Sequence, residues 1–229
     1  VFEIGRNFRN EGISPRHNPE FTALEAYQAF GNYETMMKLL EDMLERLAFR
    51  SHGKYEVPYR DGTINFKPPF RRVRLDELVS GAYSPEERQA IYENEIEPTL
   101  MDPTFVTHMP ASSVPLAKRV GDYAEVFELV IGGQEVAPGY TELNDPDVQL
   151  ENFKAQSKDG HCLDAEFVDA MKTGMPPAGG IGLGIDRLVA ILTNQPSIRD
   201  VIAFPLLRPN NVAKPKLASK MDVDETGTV

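Results

Sequence analysis

Apolar and polar residues alternate from the start of the chain. Phe2, Ile4 and Phe8 alternate with Glu3, Gly5, Asn7 and Arg9, the two-residue period of a strand over residues 1–9. That period puts Arg9 on the face opposite the phenylalanines, away from the apolar layer. Residues 10–18 carry Asn, Gly, Ser, Pro and His, a loop composition. A second strand is predicted from about Glu20 to Phe30, with Phe21, Ala23, Glu25, Tyr27 and Ala29 sharing one face. The two strands make a long-looped antiparallel hairpin. The period then changes: Met36, Met37, Leu39, Leu40, Met43, Leu44 and Leu47 recur near helical spacing, which predicts an amphipathic helix over 34–50.

Further along, residues 55–67 read as a short hairpin turning at Asp61-Gly62. Residues 72–102 read as two short helices, the second opening at the cap signature Ser84-Pro85-Glu86-Glu87. Thr104–Met109, Tyr123–Ile131 and Glu135–Leu143 are predicted strands, and 146–158 and 164–173 predicted helices. Gly179–Gly184 is a glycine-rich strand running into a helix at Asp186–Leu192. From Pro209 onward the chain is polar without apolar period, and a disordered tail is expected there. There is no internal repeat. The order of elements predicts an α+β fold, an antiparallel sheet flanked by helices, and not a βαβ series.

Composition narrows the function classes. At 229 residues, the length suits one large domain, or one domain with an insertion. No apolar run is long enough to cross a bilayer, and the opening Val1-Phe2-Glu3-Ile4 is not a secretory signal. A single cysteine, Cys162, excludes an internal disulfide and fits a reducing cytoplasm. The formal net charge of −11 argues against a general nucleic-acid binder but leaves room for a local basic patch. Because the chain opens on Val inside a strand, a longer parent protein is expected.

Three constellations carry candidate chemistry. In the first, Phe8-Arg9-Asn10-Glu11 precedes Arg16-His17-Asn18-Pro19-Glu20-Phe21. An arginine at a strand end, facing away from the core, can hold a guanidinium against a phosphate. Glu11 can accept from an exocyclic amine, His17 can reach outer phosphates, and Phe21 offers a flat face to a base. The same residues would also serve as a solvated loop with Phe21 in the core. In the second, Glu128, Glu135 and Glu142 recur at spacings of seven, and Glu128 interrupts the apolar run Val126–Ile131. A carboxylate there needs a metal ion or a cationic partner unless the strand is a surface one. In the third, Gly179-Gly180-Ile181-Gly182-Leu183-Gly184 precedes Asp186-Arg187. Without a βαβ context it is no dinucleotide fingerprint. Alternating glycines let a strand approach a ligand closely, and Arg187 opens the next helix, where amide ends favour anions.

Taken together, residues 2–30 resemble motif 2, and residues 179–205 motif 3, of class II aminoacyl-tRNA synthetases, so the resemblance covers about residues 1–209. Within the class the chain resembles the lysyl-tRNA synthetases: Gly12 through Thr22 is similar to their motif 2 loop, and Pro110–Lys118 and Tyr140–Pro146 are similar to lysine-specific segments. The ending Ile198–Pro205 is shared with the aspartate and asparagine enzymes. The resemblance implies the class II catalytic fold over 1–208, with 72–102 as a shortened helical insertion and 209–229 as a tail. It implies ATP, L-lysine and tRNA-Lys as substrates, Mg²⁺ as cofactor, no membrane, a cytoplasmic site of action, and a homodimer for the full-length protein.

By the same resemblance, Arg9 and Arg187 would be catalytic, gripping the α- and γ-phosphates of ATP. Glu11, His17, Phe21 and Glu128 would complete the ATP site, and Glu128 and Glu135 would hold the metal. Glu25, Tyr27, Tyr140, Glu142 and Gly182 would line the lysine pocket. Three things depart from the family pattern. Motif 1 and the anticodon-binding barrel are missing, the 72–102 region is short, and Pro138 stands where many members have asparagine. Two alternatives stay open, a lysyl-transferase acting on a translation factor and an inactive synthetase-like binding module.

Overall fold

The alternation at the start of the chain becomes β1 (Phe2–Phe8), paired antiparallel with β2 (Glu20–Ala29) in one unbroken register from Phe2↔Ala26 to Phe8↔Glu20. Asn32 then caps α1 (Tyr33–His52), accepting from the Thr35 N–H while the Thr35 hydroxyl accepts from the Asn32 N–H. Gly53, with φ +71°, closes the helix in the left-handed region. The structure is a computed structural model, described over residues 1–10, 12–157 and 164–206. Glu11 and the expected tail at 209–229 lie outside the described residues.

The predicted hairpin forms as β3 (Glu56–Tyr59) and β4 (Gly62–Asn65). The next stretch holds an element that its polarity hid: Arg71–Arg74 is β5, an edge strand. It is followed by α2 (Leu75–Leu78) and α3 (Pro85–Ile91), the latter capped by Ser84 as expected. α3 runs on into a π-helical turn (Tyr92–Ile96) and a 3₁₀ turn (Glu97–Thr99). Then come β6 (Thr104–Thr107), the small hairpin β7 (Arg119–Val120) and β8 (Tyr123–Ala124), β9 (Val126–Ile131) and β10 (Gln134–Thr141). The chain continues through α4 (Pro146–Ser157), α5 (Ala165–Lys172), β11 (Ala178–Gly184) and α6 (Ile185–Leu192).

Seven strands form one sheet in the order β1-β2-β11-β10-β9-β6-β5, antiparallel except for the parallel pair β5–β6. One face is covered from β2 to β9. α1 lies across β9, β10 and β11, α6 packs on β2, and Met36, Leu40, Leu44, Phe127, Leu129, Ile181, Leu183, Leu188 and Ile191 close the main core. The opposite face is covered only over β5, β6 and β9, where Leu75, Val79, Tyr92 and Leu100 pack on Val73, Val106, Val126 and Val130. The cleft described below opens on the remaining part of this face.

The apolar alternation of β1 does not bury as the reading assumed. Phe2, Ile4 and Phe8 are 76%, 58% and 73% exposed, because β1 is the sheet edge and the covering helices pack on the strands further in. The parity itself holds, since Asn7 and Arg9 line the cleft on the other face. No helix among the described residues is long and apolar enough to cross a membrane.

Phe127 anchors the main core, fully buried and edge-on to Phe105 at 5.2 Å. Phe127→Ala is expected to destabilise the protein by about 3–5 kcal/mol, read as a lower urea midpoint with unchanged slope.

Candidate active site

Parity determines which side chains of the open face can meet. On β2, Phe21, Ala23, Glu25 and Tyr27 alternate with Leu24 and Ala26, which pack against the core. On β11, Gly180, Gly182 and Gly184 alternate with buried Ile181 and Leu183. The pairs Gly182↔Glu25 and Gly180↔Tyr27 put glycine beside each of those two side chains. A side chain at 180 would collide with the Glu142 carboxylate and, at 2.9 Å, with the Tyr27 ring. The glycine therefore lets an acid and an aromatic ring close over the sheet.

β10 reaches the same face through an irregularity. Glu135 pairs with Val130, Ala137 with Leu129 and Pro138 with Glu128, so a bulge falls between Glu135 and Ala137. Regular pleating would put Glu135 and Pro138 on opposite faces. The bulge turns both, together with Tyr140, to the side that Glu128 occupies. Glu142 follows just past the strand end, its N–H donating to the Ala178 carbonyl at 2.8 Å.

One cleft collects Arg9, Arg16, His17, Phe21, Glu25, Glu135, Pro138, Gly182 and Arg187. The Arg9 guanidinium lies 5.3 Å from the centre of the Phe21 ring, a cation–π distance. Arg187, at the start of α6, donates through Nη1 to the Glu135 carbonyl (2.7 Å), through Nε to the Arg16 carbonyl (3.3 Å) and through Nη2 to His17 Nε2 (3.2 Å). The His17 tautomer with the proton on Nδ1 suits this network, because Nδ1 then donates to Ser14 Oγ at 3.0 Å. Asp186 accepts from the Thr22 N–H at 2.7 Å and ties α6 to β2. Arginines 178 positions apart in the chain thus meet in one cleft.

The acids of this face have lost much of their water. Burial, followed by the Glu135 charge, pushes the Glu128 carboxyl up to about 8. Burial also raises Glu135, while Arg187 and Arg9 pull it back down. Burial alone pushes Glu142 up to about 7. Tyr140 is pushed up to about 12 by burial and then by Glu135, Glu128 and Glu142. Tyr27 is raised by burial, then by Glu142 and Glu25. Glu135 thus raises the cost of ionising Glu128, and all three acids raise that of Tyr140.

Of the residues predicted from the sequence, Arg9, His17, Phe21, Glu25, Glu135, Gly182 and Arg187 line the cleft. Tyr27 and Glu142 meet over Gly180 at its end. Tyr140 and Glu128 lie on the same face, in register with Gly180 and Pro138. The structure adds Asn7, Arg16, Asp186, Tyr92 and Glu97. The Tyr92 hydroxyl is buried without a hydrogen bond of ordinary geometry, yet lies close enough to Glu128 to help hold that carboxyl down. Arg16 was visible within the loop motif. Tyr92 and Glu97 gave no signal, because the π-helical and 3₁₀ turns that carry them have no period of their own.

Among the described residues, no group of three His, Cys, Asp or Glu side chains is arranged to hold a metal alone. Two carboxylates forced together in a dry cleft are instead a donor set for a hard cation that keeps other oxygen ligands, as Mg²⁺ does with phosphates.

The description of the family model that matches residues 1–208 reads tRNA synthetases class II (D, K and N). The chain belongs to that family. Its seven-stranded, mainly antiparallel sheet with flanking helices is the class II synthetase catalytic domain. Among similar proteins is a "Lysine--tRNA ligase" of Prochlorococcus marinus, 41% identical over 252 residues, covering 92% of this chain and 50% of the relative. Proteins of the same name from Acinetobacter baylyi (41% identical, 93% and 50% covered) and Syntrophomonas wolfei (42%, 92% and 51%) match as well. The chain spans about half the length of the curated relatives it matches.

The raised carboxyls of this class II synthetase domain have a pH signature. A folded-state pKa above the ordinary glutamate value means that the folded protein keeps a proton the unfolded chain has released. Stability is therefore lost as pH rises from the ordinary glutamate range through about 7 for Glu142 and about 8 for Glu128. Without substrates, the urea midpoint is expected to fall over this window. Glu142→Gln should flatten the part below about pH 7, a change on the order of 1–3 kcal/mol.

Proposed function

We propose that the chain is the catalytic portion of a lysine–tRNA ligase that activates L-lysine with ATP and passes lysine to the 3′ end of tRNA-Lys in the cytoplasm. One observation carries the reading: a single sheet face gathers two arginines and the desolvated pair Glu128 and Glu135 at one end, and Glu25, Glu142 and Tyr27 at the other. A triphosphate suits the first end, and an amino acid with a terminal ammonium suits the second. The names of the relatives support the choice of lysine.

In this reading Phe21 stacks on adenine and Arg9 holds the α-phosphate. Arg187 takes the γ-phosphate, with His17 beside it. Glu11, outside the described residues, would meet the adenine amine. Glu25 pairs with the lysine ε-ammonium, while Tyr27, Tyr140 and Glu142 wall the pocket and Gly182 leaves it open. Mg²⁺, when held by Glu128 and Glu135 against the phosphates, would neutralise their charge.

The first step needs no general base, because the lysine carboxylate is already ionised. It attacks the α-phosphorus, the bond to the bridging oxygen breaks, and pyrophosphate leaves. Arg9 stabilises the charge that builds on the α-phosphoryl oxygens, and its prior fixation beside Phe21 limits reorganisation. A ribose hydroxyl of the tRNA 3′ end then attacks the acyl carbon, the bond from that carbon to the phosphate oxygen breaks, and AMP leaves with the hydroxyl proton passing to its phosphate. Pro138 faces the pocket without a side-chain donor, so Glu25 and Glu142 carry the selection of lysine. The full-length protein is expected to work as a homodimer.

Two measurements on the full-length protein test this reading. Lysine-dependent ATP–pyrophosphate exchange should fall about 10²–10³-fold in Arg9→Ala, as when one preorganised charge-stabilising donor is removed. Glu25→Gln should raise the KM for lysine about 10–100-fold and leave the KM for ATP within about twofold, the range of one charged hydrogen bond. No lysine-dependent exchange by the wild type sinks the reading. If lysine is activated but moves to a translation factor and not to tRNA, the protein is a lysyl-transferase.

A further inference from the structure

Glu97 lies outside the constellations read from the sequence, at the end of the turn that follows α3, and it touches both sides of the cleft. Its Oε1 accepts from the Glu135 N–H at 3.2 Å and lies 3.9 Å from Arg16 Nη1. The Glu97 side chain is 15% exposed and that of Arg16 is 43% exposed. The acid is therefore the fixed partner and the arginine side chain the more exposed one. The fixing is visible in the backbone. Gly133, at φ +75°, is approached so closely by the Pro98 carbonyl that a β-carbon there would sit 2.7 Å from its oxygen. The Gly133 and Gly132 N–H groups bond the Leu100 and Met101 carbonyls at 2.9 Å. This clamp holds Glu97 against the start of β10.

Four residues from four segments thus close a ring. Glu97 holds Arg16 and the Glu135 N–H, Arg187 holds the Glu135 and Arg16 carbonyls, and both arginines line the cleft. Without a nucleotide, the arginine charge is spent on protein acceptors. The contact between Arg16 and Glu97 is an ion pair and not a tight hydrogen bond, so a polyphosphate, with more charge and with bidentate geometry, outcompetes it.

We propose that Glu97 is a positioning residue that parks Arg16, and with it the 14–18 segment, in the nucleotide-free protein and releases Arg16 to the phosphates when ATP enters. The proposal rests on the reading that this cleft takes ATP. Parking holds the loop near its working place. The competition for Arg16 lowers ATP affinity.

The test uses the full-length protein with Glu97→Gln and Glu97→Ala. The amide oxygen of Gln still accepts the Glu135 N–H, but the attraction for Arg16 is lost. In Glu97→Gln without nucleotide, amide hydrogen exchange at Ser14, His17 and Ile198, whose N–H groups bond within or to this segment, should speed up about two- to five-fold. That is the range for a partly exposed ion pair. The Kd for Mg-ATP by calorimetry without lysine should fall by a similar factor, with kcat for ATP–pyrophosphate exchange within about twofold. Glu97→Ala also frees the Glu135 N–H and should lower kcat itself. Unchanged loop exchange and ATP affinity in Glu97→Gln, or a kcat loss as large as in Glu97→Ala, overturns the role of Glu97 alone. Failure of the wild type to bind Mg-ATP overturns the ATP reading as well.

Discussion

Glu128 and Glu135 repel one another from adjoining strands, and both have lost most of their water. The rest of the site follows from this constraint. Two carboxylates in such a place stay ionised only beside positive charge. On the Glu135 side Arg187 and Arg9 supply part of it. Glu128 has the Tyr92 hydroxyl and no arginine, and stands furthest above its ordinary value. In the ligand-free protein Glu128 therefore keeps its proton to about pH 8, and a cation between the two acids would favour its release.

The arrangement persists because the backbone leaves it no relaxation. A bulge aims Glu135 to the Glu128 side, and the turn after α3 brings Tyr92 and Glu97 against the pair from outside the sheet. The main core lies on the other face, where α1 and α6 bury the alternate residues of the same strands. Each of β2, β9 and β10 therefore has one face that packs on the main core and one that carries charge. Gly180 and Gly182 of β11 belong to the second face, where the first lets Glu142 and Tyr27 close in and the second leaves room above the sheet, while Gly179 lets α1 approach the other face.

The charge on that face is asymmetric along the cleft. Arg9, Arg16 and Arg187 gather beside Phe21, whereas Glu25 and Glu142 gather beside Tyr27. A zwitterionic intermediate, with a phosphate at one end and an ammonium at the other, matches this polarity. Side chains of the site in turn hold much of the loop between β1 and β2: His17 and the Arg16 carbonyl bond Arg187, and the Pro15 carbonyl accepts from Ile198.

Much of this was legible in the chain. The periods of β1, β2, α1 and β11 depend on neighbours one to four residues away, and local sterics and amphipathicity fix them. The capping boxes at Asn32 and Ser84 are local for the same reason, although only the second stood out in the sequence. Parity placed Arg9 opposite the phenylalanines and Glu25 beside Phe21. It did not say that β1 is an edge, so its phenylalanines, expected in an apolar layer, stand exposed. The spacing of Glu128, Glu135 and Glu142 singled out three acids but not the bulge that lets them share a face, because a bulge is defined only against the partner strand. β5 was hidden because its arginines resemble a polar loop until β6 lies beside it. Sequence alone determined which residues carry charge and which faces they occupy locally. Tertiary structure decided which of those faces meet, how far water is excluded between them, and that Glu97 joins them, because desolvation and convergence come only from segments distant in the chain.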